Sequence, residues 1–524
     1  MSFMSSTDNS ANGAQRLCDA LLESGVDTCF ANPGTSEMHF VGALDARPRM
    51  RCILGLAEGV VTGAADGYGR MADRPAATLL HLGPGLANGL SNLHNARRAR
   101  TPLVNVVGEH ATDHLALDPP LASDIDSLAA PMSNWVRRAV PGGDVGHDAA
   151  EAVAAARDTP GIATLVLPAD VAWSPAPGGP LPAAAPPAAD APAGDRLAAA
   201  ARAIAAGPGT LLLLGGRALR AAPALLAQRL AAATGAGVLA ETFNARIERG
   251  TGRAPIAKLP YPVALSTEVL PRYERIVLIG AERPVAFFAY PGKPGLLYPE
   301  GCEIVPLVDP GSEALPALEA LAERLALGDV PAAAPAPEPP PDDAPLTPDI
   351  AAGLVARHLP EDAVVVDESV TSGRAFFAES MAGPRHDYLQ LTGGSIGIGL
   401  PLSAGAAVAC PGRRVVTLQA DGSAMYSLQA LWTQARERLD VTTVIFSNRS
   451  YAILKGEMAN VGLENYGDAA ARMMSLDDPA LDWCALARGH GVEAARAATA
   501  GQLGDLLRQS FRQGGPFLIE ACLG

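Results

Sequence analysis

Residues 418–451, LQADGSAMYSLQALWTQARERLDVTTVIFSNRSY, hold one apolar run that stops at Asp421-Gly422-Ser423 and a second that stops at Asn448. RVVTLQA (414–420) has the pattern of a buried strand. Gly422 permits a tight turn. Leu428, Leu431, Trp432, Ala435 and Leu439 then mark a helical stripe, Asp440 closes the helical region, and VTTVIFSN (441–448) starts a second strand. The stretch predicts a strand–helix–strand unit whose helix opens near Ser423. In open parallel sheets, ligands gather at the carboxyl ends of strands. Asp421 and Asn448 would both sit at such ends, on adjacent strands. Carboxylate and amide oxygens are hard ligands suited to Mg²⁺ or Ca²⁺, and Mg²⁺ lets substrate phosphates complete its shell. Free N–H groups at the helix start would face the same phosphates. The layout therefore fits a metal-bridged diphosphate, with little Lys or Arg needed. Taken singly, Asp421-Gly422 reads as a turn and Asn448 as a helix cap; their pairing points to a ligand.

The surrounding chain repeats this alternation of short apolar runs and helical stretches. ATLLHLG (77–83) and PLVNVVG (102–108) read as strands, as do TLLLLGG (210–216), RIVLIGA (275–281), EIVPLVD (303–309) and AVVVDES (363–369). The pattern predicts α/β domains with parallel sheets. Two Pro/Ala-rich segments, 174–194 and 330–346, read as extended linkers. They separate three blocks, 11–173, 195–329 and 347–524, with no short tandem repeat.

Composition narrows the partners. The 524 residues are 48% hydrophobic, enough for large cores, and their formal charge of −15 disfavours nucleic acid or an anionic membrane as main partner. Seven scattered cysteines without a CxxC pair read as reduced thiols of a cytoplasmic protein. MSFMSSTDNS at the N-terminus lacks the basic and apolar regions of a signal peptide, and the Ala-rich stretches are interrupted before membrane-spanning length.

Two further segments carry candidate chemistry. LTGGSIGIGLPLSAGAAVA (391–409) places Gly393-Gly394 and small residues around Ile396, which would let a ligand approach the backbone; a tightly packed loop is the structural alternative. In LAEGVVTGAADGYGR (56–70), Glu58 opens a helix of small residues, where a carboxylate is also favoured simply by the helix dipole.

Together FANPGTSE, LAEGVVTGAADGYGR, LHLGPGLANGLSNL, TGGSIGIGLP, ADGSAMYSLQALWT and SNRSY resemble the thiamine diphosphate-dependent decarboxylase and acetohydroxyacid synthase superfamily. The look is nearest to benzoylformate decarboxylase and acetolactate synthase large-subunit-like proteins, over about residues 12–523. The resemblance implies three doubly wound parallel-sheet domains: pyrimidine-binding (11–173), middle Rossmann-like (195–329) and diphosphate-binding (347–524). It implies Asp421, Asn448 and the Ser450 carbonyl as Mg²⁺ ligands, with Thr371, Gly422, Ser423, Tyr426 and Tyr451 around the diphosphate. Gly394 would accept from the cofactor's 4′-amino group beside Ser395, and Ile396 would hold the cofactor bent. Glu58 would bond the aminopyrimidine N1′, with Asn88 near it. The implied reaction is decarboxylation of a 2-oxo acid, releasing an aldehyde or joining the fragment to an acceptor carbonyl. Sites in this family lie between chains, which implies a homodimer or homotetramer.

The sequence departs from the family pattern in places. Ala420 and Ser447 replace the Gly and Asn that usually precede the metal ligands, and Val370 stands where benzoylformate decarboxylase has a phosphate-contacting hydroxyl. His81 matches a proton-transfer histidine and otherwise reads as a core strand residue; Thr35 matches a substrate-binding serine and otherwise caps a turn. A second family histidine is missing from PVAFFAYPG (284–292); His110 and His114 could partly replace it but read first as surface-loop histidines, so carboligation gains weight. YAILKGEM (451–458) is synthase-like, and its Lys455 and Glu457 either touch substrate or pair on a solvated helix. Gly215-Gly216 lacks a GxGxxG context, which leaves FAD disfavoured. The alternatives are an acetolactate synthase catalytic subunit, a non-catalytic cofactor-binding relative and a nicotinamide oxidoreductase. Retention of Glu58 disfavours the second, and the missing fingerprint disfavours the third.

Overall fold

A computed structural model describes residues 11–185, 194–335, 337–463 and 465–524. The N-terminal segment 1–10 and the 186–193 part of the first expected linker lie outside the described residues, as does position 336 of the second. Every strand expected from an apolar run forms. The first sheet contains β1 (Thr28–Ala31), β2 (Arg51–Leu54), β3 (Ala76–Leu80), β4 (Leu103–Glu109), β5 (Trp135–Arg138) and β6 (Ile162–Pro168). They are parallel in the order β2-β1-β3-β4-β6-β5.

Next in the chain come β7 (Thr210–Leu214), β8 (Gly237–Ala240), β9 (Ile247–Arg249), β10 (Arg275–Ile279) and β11 (Glu303–Val308). Four of them make a parallel sheet, β11-β10-β7-β8. The last sheet uses β12 (Ala363–Glu368), β13 (His386–Gln390), β14 (Val415–Ala420), β15 (Val441–Ser447), β16 (Glu493–Ala497) and β17 (Phe517–Cys522). Its order is β16-β17-β15-β14-β12-β13-β9, with β9 antiparallel on β13. The chain thus has three parallel-dominated sheets in an α/β fold. They fall in two compact units, one formed by the first third of the chain with Ala404–Ala409, the other by the rest.

Strand burial explains the apolar runs. Val415, Val416, Leu418, Val441, Val444, Ile445 and Phe446 are fully buried, each such side chain contributing about 1.5–3 kcal/mol through removal from water. The described parts of the expected linkers are tethered to neighbouring chain. Ala176 N–H donates to Ala11 O at 2.9 Å, and Ala500 N–H donates to Ala344 O at 2.9 Å.

The helix expected after Asp421 differs. It is two short pieces, Asp421–Ala424 and Ala430–Arg436, instead of one run to Leu439. The Ser427 hydroxyl donates to Gly397 O at 2.5 Å, and the Gln434 amide donates to Leu400 O at 3.0 Å. These side chains satisfy the Gly397 loop carbonyl and a carbonyl in the first turn of helix Gly399–Ala409, and the Ser427 bond competes with a continuous helix. The expected long helix start at Ser423 is therefore a single turn starting at Asp421. Among the described residues no helix is long and apolar enough to cross a membrane.

Candidate active site

In the first unit, small residues bring two helices close together. Helix Glu58–Ala72 follows β2, and helix Leu82–Ala99 follows β3. A Cβ on Gly89 would fall 2.9 Å from Thr62 Cγ2, so glycine sets this approach. Thr62 Oγ1 donates to Gly89 O at 3.0 Å, and Asn92 Nδ2 donates to Gly59 O at 2.7 Å. The result is a rigid seat for Glu58, which is buried. Its Oε1 accepts from Asn32 Nδ2 at 2.9 Å and its Oε2 from Asn88 Nδ2 at 3.1 Å. Two amides thus fix the plane of one buried carboxylate.

His81 ends the run of β3 and is seated separately. Its Nδ1 lies 2.9 Å from Glu37 Oε2, which also accepts from Gly34 N–H at 2.8 Å. Glu37 is buried, and burial pushes its carboxyl up against the opposing pull of His81. Two glycines make its slot: a Cβ on Gly34 would lie 2.1 Å from His81 Nδ1, and one on Gly108 would lie 1.7 Å from Glu37 Oε1. Thr35 is exposed in the turn Thr35–Glu37. His110 and His114 pack on each other, ring centroids 5.8 Å apart, and among the described residues neither bonds to His81.

In the second unit, Asp421 and Asn448 follow the paired parallel strands β14 and β15. Asp421 is buried, which pushes its carboxyl up; backbone N–H groups oppose this. Oδ1 accepts from Gly422 N–H at 2.8 Å and Oδ2 from Arg449 N–H at 2.6 Å. Arg449 has φ 54, the left-handed region that non-glycine residues rarely adopt. No cation pairs with Asp421 among the described residues. Asn448 Oδ1 accepts from Ser450 N–H at 2.9 Å, and the Tyr451 ring lies against Gly422, 2.4 Å from where a Cβ would be. The Ser423 hydroxyl is turned inward, accepting from Gln419 Nε2 at 2.7 Å and donating to Ala420 O at 3.2 Å.

The glycine loop ahead of helix Gly399–Ala409 is held by a residue absent from the sequence expectations. Buried Glu368 accepts from Gly397 N–H at 2.5 Å, Gly399 N–H at 2.6 Å and Gln419 Nε2 at 3.0 Å. Burial pushes its carboxyl up, against these donors. Gly394 (φ 76) and Gly397 (φ 99) adopt conformations that favour glycine, and Ser395 and Ile396 between them are partly buried. Phe287 covers Gly394: a Cβ there would be 2.4 Å from Phe287 Cζ. Tyr426 packs on Gly397 in the same way, at 2.5 Å. Thr371 follows Val370, whose φ of 55 is strained for a β-branched residue.

Comparison with known proteins gives the family. The model for the thiamine pyrophosphate enzyme N-terminal TPP binding domain matches residues 11–129, and that for the C-terminal TPP binding domain matches residues 372–521. A Mycobacterium tuberculosis protein carrying the name of an acetolactate synthase large subunit, IlvX, is 50% identical over 97% of this chain and 98% of its own length. The chain belongs to the thiamine pyrophosphate enzyme family. Benzoylformate decarboxylase of Pseudomonas aeruginosa is 32% identical over 96% of this chain and 97% of that protein. The structure of a thiamine diphosphate-dependent 4-hydroxybenzoylformate decarboxylase from Rhodococcus jostii RHA1 superposes with a TM-score of 0.85 at 26% identity, covering 98% of this chain and 99% of that one. As a thiamine pyrophosphate enzyme with both binding domains, the chain has thiamine diphosphate as its indicated cofactor.

The structure adds residues to those read from the sequence. Asn32 on Glu58, Glu37 on His81 and Glu368 on the glycine loop were not singled out, although Asn32 and Glu37 lie within FANPGTSE. Glu457 neither stands free nor pairs with Lys455 among the described residues; it accepts from Tyr290 Oη at 2.7 Å.

Proposed function

We propose that this chain is a thiamine diphosphate- and Mg²⁺-dependent enzyme that decarboxylates a 2-oxo acid. The observation that carries the reading is buried Glu58, held on both oxygens by asparagine amides. The second support is Asp421, a buried carboxylate beside the Asn448 amide oxygen, a hard donor set that fits a small divalent cation. Asp421, Asn448 and the Ser450 carbonyl would hold Mg²⁺. Gly422, Tyr426, Tyr451 and Thr371 would line the diphosphate, with the backbone of Ser423 in place of its engaged hydroxyl. Gly394, Ser395 and Ile396 would seat the aminopyrimidine.

Thiamine diphosphate, when bound, supplies an electron sink for the pair released as CO₂ leaves. Glu58 would share a proton with the cofactor's N1′ nitrogen, its oxygens kept aimed by Asn32 and Asn88. Glu37 orients the His81 ring through Nδ1, which leaves Nε2 to exchange a proton with the reacting oxygen or carbon. Thr35 bonds the substrate carboxylate before it is lost. For aldehyde release, the C1–C2 bond breaks and a proton takes the place of CO₂ at C2.

Carboligation to an acceptor carbonyl, as in acetolactate synthesis, is the second reading. It is favoured by Phe287 and Tyr290 standing in the segment where a second histidine was expected. We further propose segments 11–173, 195–329 and 347–524 as pyrimidine-binding, middle and diphosphate-binding domains, and a homodimer or homotetramer as the working unit. A CO₂-release screen over 2-oxo acids, with and without aldehyde acceptors, tests the reading. CO₂ release that requires both thiamine diphosphate and Mg²⁺ is expected. Cofactor binding with no CO₂ release from any 2-oxo acid would reject it.

A further inference from the structure

A cavity of about 320 Å³ opens within the second unit, between the 284–292 segment and helix Ala452–Asn460. Thr371 lines it, and so does Phe287, the ring that covers Gly394. Thr371 and Gly394 belong to the proposed cofactor site, so a substrate role for this cavity rests on that reading. The volume is within the range of small-molecule sites. One wall is aromatic: Tyr261 and Phe287 meet edge to face with centroids 5.8 Å apart, and Phe243, outside the lining, packs on both.

Three charged side chains line the cavity, and their states differ. Glu457 is engaged by the Tyr290 hydroxyl at 2.7 Å. Lys293 donates to Asn460 Oδ1 at 3.0 Å and lies 5.1 Å from the Tyr290 ring centroid. Arg374 has neither hydrogen bond nor ion pair among the described residues. The charges of Glu457 and Arg374 are both felt at Tyr261, whose hydroxyl is pushed up first by burial and then by Glu457. Two cations against one occupied carboxylate leave the cavity net positive.

We propose that this cavity is the side-chain subsite of the substrate and that Arg374 binds a terminal carboxylate there, making the preferred substrate a 2-oxo dicarboxylic acid. A guanidinium forks onto a carboxylate through two parallel N–H donors, which suits an unpaired Arg374. A cationic side chain would instead have to meet both Arg374 and Lys293 and displace Tyr290 from Glu457. The aromatic wall accommodates the methylenes between the two ends of the substrate. Glu457, fixed by Tyr290, repels the carboxylate from its own side and so directs it to Arg374.

The test uses the full chain loaded with thiamine diphosphate and Mg²⁺, as wild type and Arg374→Gln. Binding of glutarate is measured by calorimetry, cofactor affinity by titration, and CO₂ release from 2-oxoglutarate and 2-oxopentanoate in parallel. Arg374 has no partner to lose, so the variant should fold. Glutarate affinity is expected to fall roughly 10- to 100-fold in Arg374→Gln, as for a lost charged hydrogen-bond pair, with cofactor affinity unchanged. The preference for 2-oxoglutarate over 2-oxopentanoate should disappear with it. Equal glutarate binding by both proteins would overturn the proposal. So would a loss of cofactor affinity in the variant, which would place Arg374 on the diphosphate. Arg374-dependent glutarate binding without CO₂ release from any 2-oxo acid would uphold the subsite and reject decarboxylation. CO₂ release from 2-oxopentanoate without glutarate binding would do the reverse.

Discussion

Gly34→Ala isolates the seat of His81 with one methyl group. Gly34 has φ −112 and ψ −168, extended backbone open to any residue, so the substitution carries no conformational penalty of its own. The new Cβ would sit 2.1 Å from His81 Nδ1 and 2.2 Å from Cγ. Ordinary contact begins near 3.4 Å, so the ring must withdraw by about 1.3 Å. That movement breaks the 2.9 Å bond from Nδ1 to Glu37. Loss of this partner from a buried carboxylate costs about 1–3 kcal/mol of stability. Misplacing a proton-transfer group by about 1 Å costs on the order of 100-fold in rate. Steady-state CO₂ release should therefore fall on the order of 100-fold, while thiamine diphosphate still raises the melting temperature. Gly34→Ala and His81→Ala should not add: the double variant should match His81→Ala, because both remove one function. Activity within twofold of wild type would refute the reasoning, and so would full additivity.

Other perturbations test the remaining parts. Asp421→Ala should abolish the Mg²⁺-dependent thermal shift produced by thiamine diphosphate, because the buried carboxylate is the one charged donor of the proposed set; an undiminished shift contradicts the assignment. Mixing inactive Glu58→Gln and Asp421→Ala chains should restore about a quarter of wild-type activity if each site draws on two copies, since half of randomly formed dimers are mixed and each mixed dimer has one intact site. Zero recovery after verified subunit exchange would confine the site to one chain. Glu368→Ala strands three donors that now meet one carboxylate, and should cost about 3–5 kcal/mol with weakened cofactor binding, measured by chemical denaturation and titration; a loss below about 1 kcal/mol would show that the glycine loop holds itself.

Strands were legible because they are buried on both faces, so their runs are continuously apolar: β14 and β15 end where the polar residues begin. Asp421 and Asn448 were legible for the same reason, as polar residues at predicted strand ends. The broken helix after Asp421 was not, because the Ser427 hydroxyl bonds to the loop carbonyl of Gly397, 30 residues earlier in the chain. β9 was hidden too: Ile-Glu-Arg is too short to show alternation, and its partner β13 lies far along the sequence. Glu37 and Glu368 escaped because a carboxylate in an ordinary segment gives no hint of glycine-made slots or backbone donors elsewhere. Tyr290 and Glu457 meet across 167 positions, a pairing no local pattern carries.

Exchange of the cofactor's C2 hydrogen for deuterium, followed by quenched-flow NMR on enzyme-bound thiamine diphosphate, tests the central claim most directly. The account predicts rapid exchange in the wild type and exchange slowed on the order of 100-fold or more in Glu58→Gln at equal cofactor occupancy. Equal exchange rates in the two proteins would contradict it, leaving the Asn32–Glu58–Asn88 cluster a packing feature of its helix pair.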